Sequence, residues 1–395
     1  MTTLAASRPR LRAVTRAISP PEDLLDALGP DGSAWLRDGS GFVTSGVAAR
    51  VDVDTADAVL AALDIDDPLA WPGTGPLAVG ALPFDPALPS SLVIPRLVVG
   101  RTADGRGWVT EVGDEPARPL AAALAEDEPT AWRVTSLTGR RAWRAMVRGA
   151  LDAIDRRELA KVVLARAVVV EADAPFSPRT ALRRLRRHEP GCFVHHAEGL
   201  VGASPELLVR RVGARVESRP LAGTAPADDE GREHLRVSGK DAHEHRLVVD
   251  GVVGALSSLC DDLEVAPAPT SLAFSSVVHL ATPVRGRLRP PSPSALAVAR
   301  RLHPTAAVAG TPRDGALRAI AALEDAPRGR YAGPVGWVDA RGDGEWAVAL
   351  RGAEIDGATA VLRAGAGIVA GSDPDAEWAE TQVKLEPMLR ALVAP

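Results

Sequence analysis

One lysine of this chain lies where acid–base chemistry becomes possible. Lys161 opens the run KVVLARAVVV, which is too β-branched and too short to be anything but a strand. Alternate residues of a strand share a face, so Lys161 shares one with Val163, Ala165 and Ala167. A lysine on such a small, apolar face can lose its proton through desolvation, whereas an arginine cannot.

Glutamates on two separate predicted helices form a candidate metal site. Glu244 and Glu380 supply carboxylates without thiolates, and such donors suit a hard cation such as magnesium. Glu377 and Lys384 share the helix face of Glu380, at spacings of three and four residues. A solvated helix face with an i,i+4 ion pair also accounts for these charges, so both interpretations stay open.

Two further motifs are weaker candidates. The run from Gly365 to Ala370 matches the dinucleotide-binding fingerprint, but only one helix follows it and no parallel strand comes after that helix. Its bare N–H groups before a helix suit a carboxylate instead. His243 and His245 flank Glu244 on a helix and point in different directions, which argues against zinc. We expect most of the eight histidines to be structural.

Hydrophobic periodicity predicts the elements that must position these residues. It indicates helices over 140–157 and 240–259, and a last helix that begins after the N-cap Asp373. Glu206 lies at a break between two short strands. Two Asp-Gly turns predict a three-stranded antiparallel meander over 333–369, with Arg351 on a small-residue face of its middle strand.

The composition excludes several classes of function. The 395 residues carry a formal charge of -5 and are 46% hydrophobic, which is typical of a globular chain with a large core. Only three of the 46 basic residues are lysines, and no basic run is interleaved with aromatics, so we expect no nucleic-acid partner. No apolar stretch would span a membrane, and residues 1–21 lack the apolar core of a secretory signal, so we expect a cytoplasmic protein without a membrane partner.

Two local features complete this description. Cys192 and Cys260 are too few for a disulfide framework, and we expect both in the core. The stretch 111–130 is rich in proline, alanine and acidic residues and predicts a linker or surface excursion.

A series of short motifs extends over roughly residues 140 to 392. In chain order the motifs are Lys161–Arg166, Gly202–Glu206, Pro220–Thr224, Lys240–His245, Val278–Pro283, Leu302–Thr305, Ala332–Trp337, Gly344–Trp346, Ala364–Val369 and Glu377–Thr381 with Lys384. Taken together, they resemble the motifs of the chorismate-utilising enzymes, and most closely those of the isochorismate synthases.

The resemblance implies an α/β fold of the α+β type. It would be a single intertwined chorismate-binding domain with antiparallel β-sheets sandwiched and flanked by helices. Residues 1–125 would form its variable N-terminal part, and residues 126–395 its catalytic chorismate-binding part. The resemblance further implies a monomer that takes chorismate as substrate and has no glutamine amidotransferase subunit.

The resemblance also implies a role for each candidate residue. Lys161 matches the general base that activates water, and Glu206 matches the acid that protonates the departing hydroxyl. Glu244 and Glu380 match Mg²⁺ ligands, with Glu377 close by. The remaining matches hold the substrate or line its pocket: Gly223, Thr224, His279, Arg351, Gly365, Gly367 and Lys384.

These roles imply an isomerase in which water attacks C2 of chorismate and the C4 hydroxyl leaves. Ammonia-using relatives typically lack the lysine base, and Ala222 stands where some of them carry a lysine, so water is the indicated nucleophile. Salicylate synthase, which goes on to eliminate pyruvate, remains the alternative, and Val308 is intermediate between the two types. A non-catalytic chorismate-binding subunit is a third possibility. The product would serve siderophore or menaquinone biosynthesis.

Overall fold

Eight helices are present in residues 11–113 and 128–393, which are the residues that the computed structural model describes. They are α1 (Ala56–Ala61), α2 (Arg140–Asp155), α3 (Pro178–His188), α4 (Asp229–Val237), α5 (Gly239–Ser257), α6 (Ala295–Leu302), α7 (Arg313–Leu323) and α8 (Pro374–Val393), with one 3₁₀ turn at Leu24–Ala27. None of these helices is long and apolar enough to cross a membrane.

Strands dominate the same described residues. The strands before residue 114 are β1 (Arg12–Ile18), β2 (Ala34–Arg37), β3 (Ser40–Asp52), β4 (Asp64–Asp66), β5 (Leu77–Ala81), β6 (Ser91–Arg101) and β7 (Gly107–Val112). Those after residue 127 are β8 (Trp132–Ser136), β9 (Lys161–Ala172), β10 (Phe193–Ala197), β11 (Leu200–Ser204), β12 (Leu207–Val212), β13 (Arg215–Arg219), β14 (Leu221–Pro226), β15 (Cys260–Val265), β16 (Thr270–Ala273), β17 (Val277–Ala281), β18 (Val284–Leu288), β19 (Gly310–Thr311), β20 (Pro334–Asp339), β21 (Gly344–Val348), β22 (Gly352–Asp356) and β23 (Thr359–Ile368).

The strands are almost entirely antiparallel, which confirms the predicted fold class. Twenty of the described strands join one hydrogen-bonded network, and β14, β17 and β16 form a separate sheet. Early strands pair with late ones, since β2 pairs with β10 and β5 with β20. The first part of the chain is therefore woven into the same sheets as the part that carries the family motifs.

The strand β9 confirms the prediction for the run that Lys161 opens. It pairs with β23 from Val162 opposite Ile368 to Glu171 opposite Thr359. Its other edge pairs with β8 near one end and with β19 at the other. A β-branched strand with neighbours on both edges is buried along most of its length, so the lysine at its start is held inside the protein.

The predicted helices are also confirmed. The helix α2 buries Trp143, Val147 and Ile154 at the expected spacing. The helix α8 begins where Asp373 Oδ1 accepts hydrogen bonds from the N–H groups of Asp375 and Ala376, as an N-cap does. This cap fixes the start of the helix that carries the predicted acidic face.

The predicted three-stranded meander is wrong. Residues 333–369 form two separate hairpins, β20 with β21 and β22 with β23. The strands β21 and β22 pair instead with β12 and β11. Arg351 therefore lies in the break between hairpins, with a φ of 52°, and not in a middle strand. The alternation of side chains stops at this residue, so a shared strand face does not position it.

The prediction that the glycines of the run Gly365–Ala370 lie at a helix N-terminus is also wrong for Gly365 and Gly367. Gly365 and Gly367 lie within β23, opposite Ala165 and Val163 of β9, and α8 starts only at Pro374. The backbone at these glycines is extended, because β23 continues to pair with β9 as far as Ile368.

Two smaller expectations have different outcomes. Cys192 and Cys260 are free and buried, as expected of core residues. The predicted linker over 111–130 falls mostly on residues 114–127, outside the described part of the chain, while Glu111 belongs to β7.

Candidate active site

A cleft lies where β9, β14, β17, β23, α5 and α8 converge. Nine of the predicted site residues line it: Glu206, Gly223, Thr224, Glu244, His279, Arg351, Gly365, Gly367 and Lys384. Lys161, Glu377 and Glu380 are not on its wall, and each is connected to this region by an ion pair.

The innermost ion pair joins β9 to α5. The Lys161 side chain has no exposed surface, and its Nζ lies 2.9 Å from Glu244 Oε1. A Cβ atom at Gly367 would lie 2.3 Å from that oxygen and 3.1 Å from Lys161 Cε. Because atoms cannot approach so closely, glycine at 367 is what leaves room for this ion pair beside β23.

The other two lysines of the chain make similar contacts at the α8 side of the cleft. Lys240 Nζ lies 2.9 Å from Glu377 Oε1 and so connects α5 to α8. Lys384 Nζ donates to Glu380 Oε1 at 2.6 Å and to the carbonyl oxygen of Gly365 at 3.0 Å. Each lysine therefore neutralises a different member of the predicted acidic set.

The acidic set has donors that fit a hard divalent cation. Burial raises the pKa of Glu377, and the nearby charge of Glu380 raises it further, so these carboxylates repel each other. Burial is the largest influence on Glu244 and opposes its ionisation, but the charges of Lys161, Lys384 and Lys240 and the contact with Lys161 together outweigh it and lower the Glu244 pKa. Among the described residues no three His, Cys, Asp or Glu side chains stand close enough together to hold a metal as they are. Carboxylate oxygens are nevertheless the donors that magnesium prefers.

Glu206 lies in the break between β11 and β12 and is buried. Its N–H donates to Ser204 Oγ, and its carbonyl accepts from the N–H of Val348. Burial raises the pKa of its carboxyl to about 8, although a hydrogen bond from Leu221 and the charge of Lys161 act in the opposite direction. The carboxyl therefore carries a proton at neutral pH, as a general acid requires.

Arg351 brings a buried guanidinium to the cleft wall, where it contacts His279. The hydrogen bonds of this histidine define its tautomer. Arg351 Nη2 donates to His279 Nε2 at 3.1 Å. Because a guanidinium only donates, Nε2 is the acceptor, and Nδ1–H donates to the carbonyl oxygen of Gly223 at 3.0 Å. Burial and the Arg351 charge lower the His279 pKa to about 3, so this ring is neutral. A buried cation with a neutral neighbour attracts an anionic ligand.

Nine other residues on the cleft wall were not among the predicted site residues: Val163, Leu221, Ala222, Ala307, Val308, Tyr331, Leu350, Arg363 and Ala364. Of these, Ala222 and Val308 had been singled out as bearing on the nucleophile and the product. Tyr331 is the single tyrosine of the chain and directly precedes the motif Ala332–Trp337, so its rarity and position were the available signal. The other apolar members carry no such signal, because the same residue types fill the core.

Comparison with known proteins agrees with this geometry. The family described as "Chorismate binding enzyme" matches residues 53–393. The chain belongs to the chorismate-binding enzyme family. The match begins well before the motifs, so it includes much of the early part of the chain, whose strands pair with later ones.

Individual members of the chorismate-binding family are similar over most of the chain. Isochorismate synthase EntC of Escherichia coli is 34% identical over 388 residues, which are 93% of this chain and 96% of that protein. Isochorismate synthase DhbC of Bacillus subtilis is 37% identical over 337 residues, with 80% and 81% covered. The structure of MenF, the menaquinone-specific isochorismate synthase of Escherichia coli, matches with a TM-score of 0.83 at 27% identity, covering 97% of this chain and 95% of that one.

The raised pKa of Glu206 predicts a pH-dependent effect on stability. The folded value of about 8 lies above the ordinary 4.5, so the wild-type protein loses stability as the pH rises from 4.5 to 8. Glu206→Gln keeps the shape and cannot ionise. We expect its melting temperature to exceed that of the wild type by a margin that grows up to about pH 8 and then levels off. Thermal unfolding at pH 5, 7 and 9 measures this margin, and a margin that shrinks with pH would contradict it.

Proposed function

We propose that this chain is an isochorismate synthase that converts chorismate to isochorismate. The observation that carries the proposal is a buried protonated acid on the cleft wall, Glu206, together with a fully buried lysine, Lys161, that lies behind the wall in an ion pair with Glu244. The charge of Lys161 acts to lower the pKa of Glu206, so the two groups lie within electrostatic reach. The relatives described above bear the same activity in their names.

The charges of the cleft suit a dianionic substrate. Arg351 and Lys384 place two cations on the cleft wall, and the neutral His279 fixes the direction of the first. Chorismate carries two carboxylates, which these cations and the backbone of Gly223 and Gly365 would bind and orient. Fixed orientation brings the ring carbon C2 and the C4 hydroxyl to defined places in the cleft.

Lys161 and Glu206 would then supply the base and the acid of the reaction. To act as the base, Lys161 would first give up the proton that it holds in its ion pair with Glu244. It would then take a proton from the water that attacks C2, while the two ring double bonds shift and the C4–oxygen bond breaks. Glu206 gives its proton to the departing hydroxyl, which leaves as water. One water is consumed and one is released, so the reaction is an isomerisation.

Magnesium belongs to the proposal as the cofactor. Glu244 and Glu380 would hold it, with Glu377 close by, since their carboxylates are hard oxygen donors. When bound, the ion would polarise a substrate carboxylate and stabilise charge that develops in the transition state.

The remaining expectations from the sequence extend the same proposal. We assign the chemistry to residues 126–395, because the residues that line the cleft run from Val163 to Lys384. We further propose a cytoplasmic monomer without an amidotransferase subunit, whose product serves menaquinone or siderophore biosynthesis. The relative of known structure described above is named menaquinone-specific.

Incubation with chorismate and magnesium tests the function directly. We expect isochorismate as the product, separated by chromatography, and no turnover after chelation of the metal. Salicylate with an equal amount of pyruvate would instead support the salicylate synthase alternative. Binding of chorismate without turnover would support a non-catalytic subunit, and either result would overturn the proposal.

Substitution of the acid and the base tests their roles. We expect Lys161→Met and Glu206→Gln each to lower kcat by about 10²- to 10⁴-fold, the usual contribution of a general acid or base. Chorismate binding, measured by calorimetry, should persist in both variants, and circular dichroism should show an unchanged fold. A rate close to that of the wild type in either variant would refute the role assigned to that residue.

Substitution of a single glycine tests the proposed metal ligand. Gly367→Ala would place a methyl group 2.3 Å from Glu244 Oε1 and displace that carboxylate. We expect Mg²⁺ affinity, measured by calorimetry, to fall by about 10-fold or more, the usual range for a disturbed metal shell. Gly254→Ala is the matched control, because a methyl group there meets open space. Equal affinity in the two variants would exclude Glu244 as a ligand.

A further inference from the structure

One edge of β9 has a gap in its hydrogen-bonded pairing, close to Lys161. On this edge β19 pairs with Lys161 and Val162, and β8 pairs with residues 168–172. In the described part of the chain no strand pairs with residues 163–167 on that edge. Buried backbone groups without partners are costly, so other groups must satisfy them.

A buried ion pair fills the centre of this gap. Glu324, directly after α7, accepts the N–H of Ala165 at 2.8 Å. Arg328 Nη2 donates to the carbonyl oxygen of Val163 at 2.8 Å and to Glu324 Oε1 at 2.5 Å. Two charged side chains therefore make the contacts that a neighbouring strand would otherwise make.

The same arginine also contacts a second segment that lines the cleft, the one that contains Val308. Arg328 Nη1 donates to the carbonyl oxygen of Val308 at 2.7 Å. Its guanidinium lies over the Phe84 ring at 4.2 Å, and only 2% of its side chain is exposed. Val163 and Val308 both line the cleft, whereas Arg328 and Glu324 do not.

We propose that Glu324 and Arg328 are a positioning pair for catalysis. The backbone already joins β9 to the segment after Val308, since the Val163 N–H donates to the carbonyl oxygen of Ala309. The pair adds side-chain contacts to both segments and so fixes the position of the strand that carries Lys161 relative to Val308. The proposal rests on the proposed function for its kinetic part. It does not need either residue to touch the substrate.

The geometry requires arginine and not only a positive charge. The planar guanidinium presents separate N–H groups to two carbonyl oxygens and a carboxylate at once. A lysine at 328 keeps the charge and could satisfy Glu324, but its single nitrogen cannot reach Val163 and Val308 in the same way. Arg328→Lys therefore loosens the bridge while retaining the buried ion pair.

The test compares Arg328→Lys with a control two residues away. Arg330 forms an ion pair with Glu354 and donates to the carbonyl oxygens of Ala197 and Glu198, so Arg330→Lys changes a similar network that does not contact β9. Glu324→Gln serves as a second variant, because its amide oxygen can still accept the Ala165 N–H. The readouts are kcat and KM for isochorismate formation, and amide hydrogen exchange of β9 and β3.

We expect Arg328→Lys to lower kcat by about 10- to 100-fold with little change in KM, since a small misplacement of the base has that effect. Exchange at Val163 and Ala165 should quicken by at least about 10-fold while β3 stays protected. Glu324→Gln should show a weaker form of both effects, and Arg330→Lys neither.

Two results would overturn this assignment. Wild-type kcat together with unchanged exchange in Arg328→Lys would show that the bridge positions nothing. Exchange that quickens equally in β3 and β9 would show a general loss of stability and no positioning role. If the wild-type protein makes no isochorismate, the proposed function fails, and the exchange at Ala165 still tests the bridge.

Discussion

The contact between Lys161 and Glu244 is the constraint on which the rest of the site depends. Taking a lysine wholly out of water is costly unless a partner compensates its charge. The partner comes from α5, and it reaches β9 only because residue 367 of β23 has no side chain. The helix, the two strands and the glycine are therefore mutually dependent, and the cleft forms where they meet.

The other charged side chains around the cleft also need partners when they are buried. The proposed function requires cations for a dianionic substrate and carboxylates for a divalent metal, so the free protein would have to hold both without its ligands. The chain does so by pairing every lysine that it has with a different glutamate. Glu206 is the exception, because its burial keeps it protonated and it needs no counterion.

Local patterns predicted the elements, but not the pairings between them. The β-branched run after Lys161 and the N-cap at Asp373 are signals within a few residues, and both were right. The predicted position of Arg351 was wrong because an Asp-Gly turn indicates a hairpin but does not indicate which strands pair with that hairpin's edges. Strands from much earlier in the chain, β11 and β12, separate the two hairpins and leave Arg351 between them.

The candidate site was predicted largely through the family resemblance, and its physical contacts were not. Motif order indicates which residues gather, but the partner of each charge depends on strand register between distant segments. The bridge from Arg328 to Val163 and Val308 illustrates this, since neither Arg328 nor Val163 stands out in the sequence and nothing there connects them to Val308.

The pairing of early with late strands has a consequence for how the cleft forms during folding. Residues of β9, β14, β17, β23 and two helices line the cleft. The hairpin of β20 and β21, which precedes Arg351, is complete on its outer edge only when β20 pairs with β5. Contacts so far apart in sequence form slowly, because loop closure precedes the gain from burial. A partly folded chain would thus contain the side chains that we propose to bind the metal and the substrate, but it would have no affinity for either ligand. Ligands that bind only the finished cleft would pull the folding equilibrium towards it.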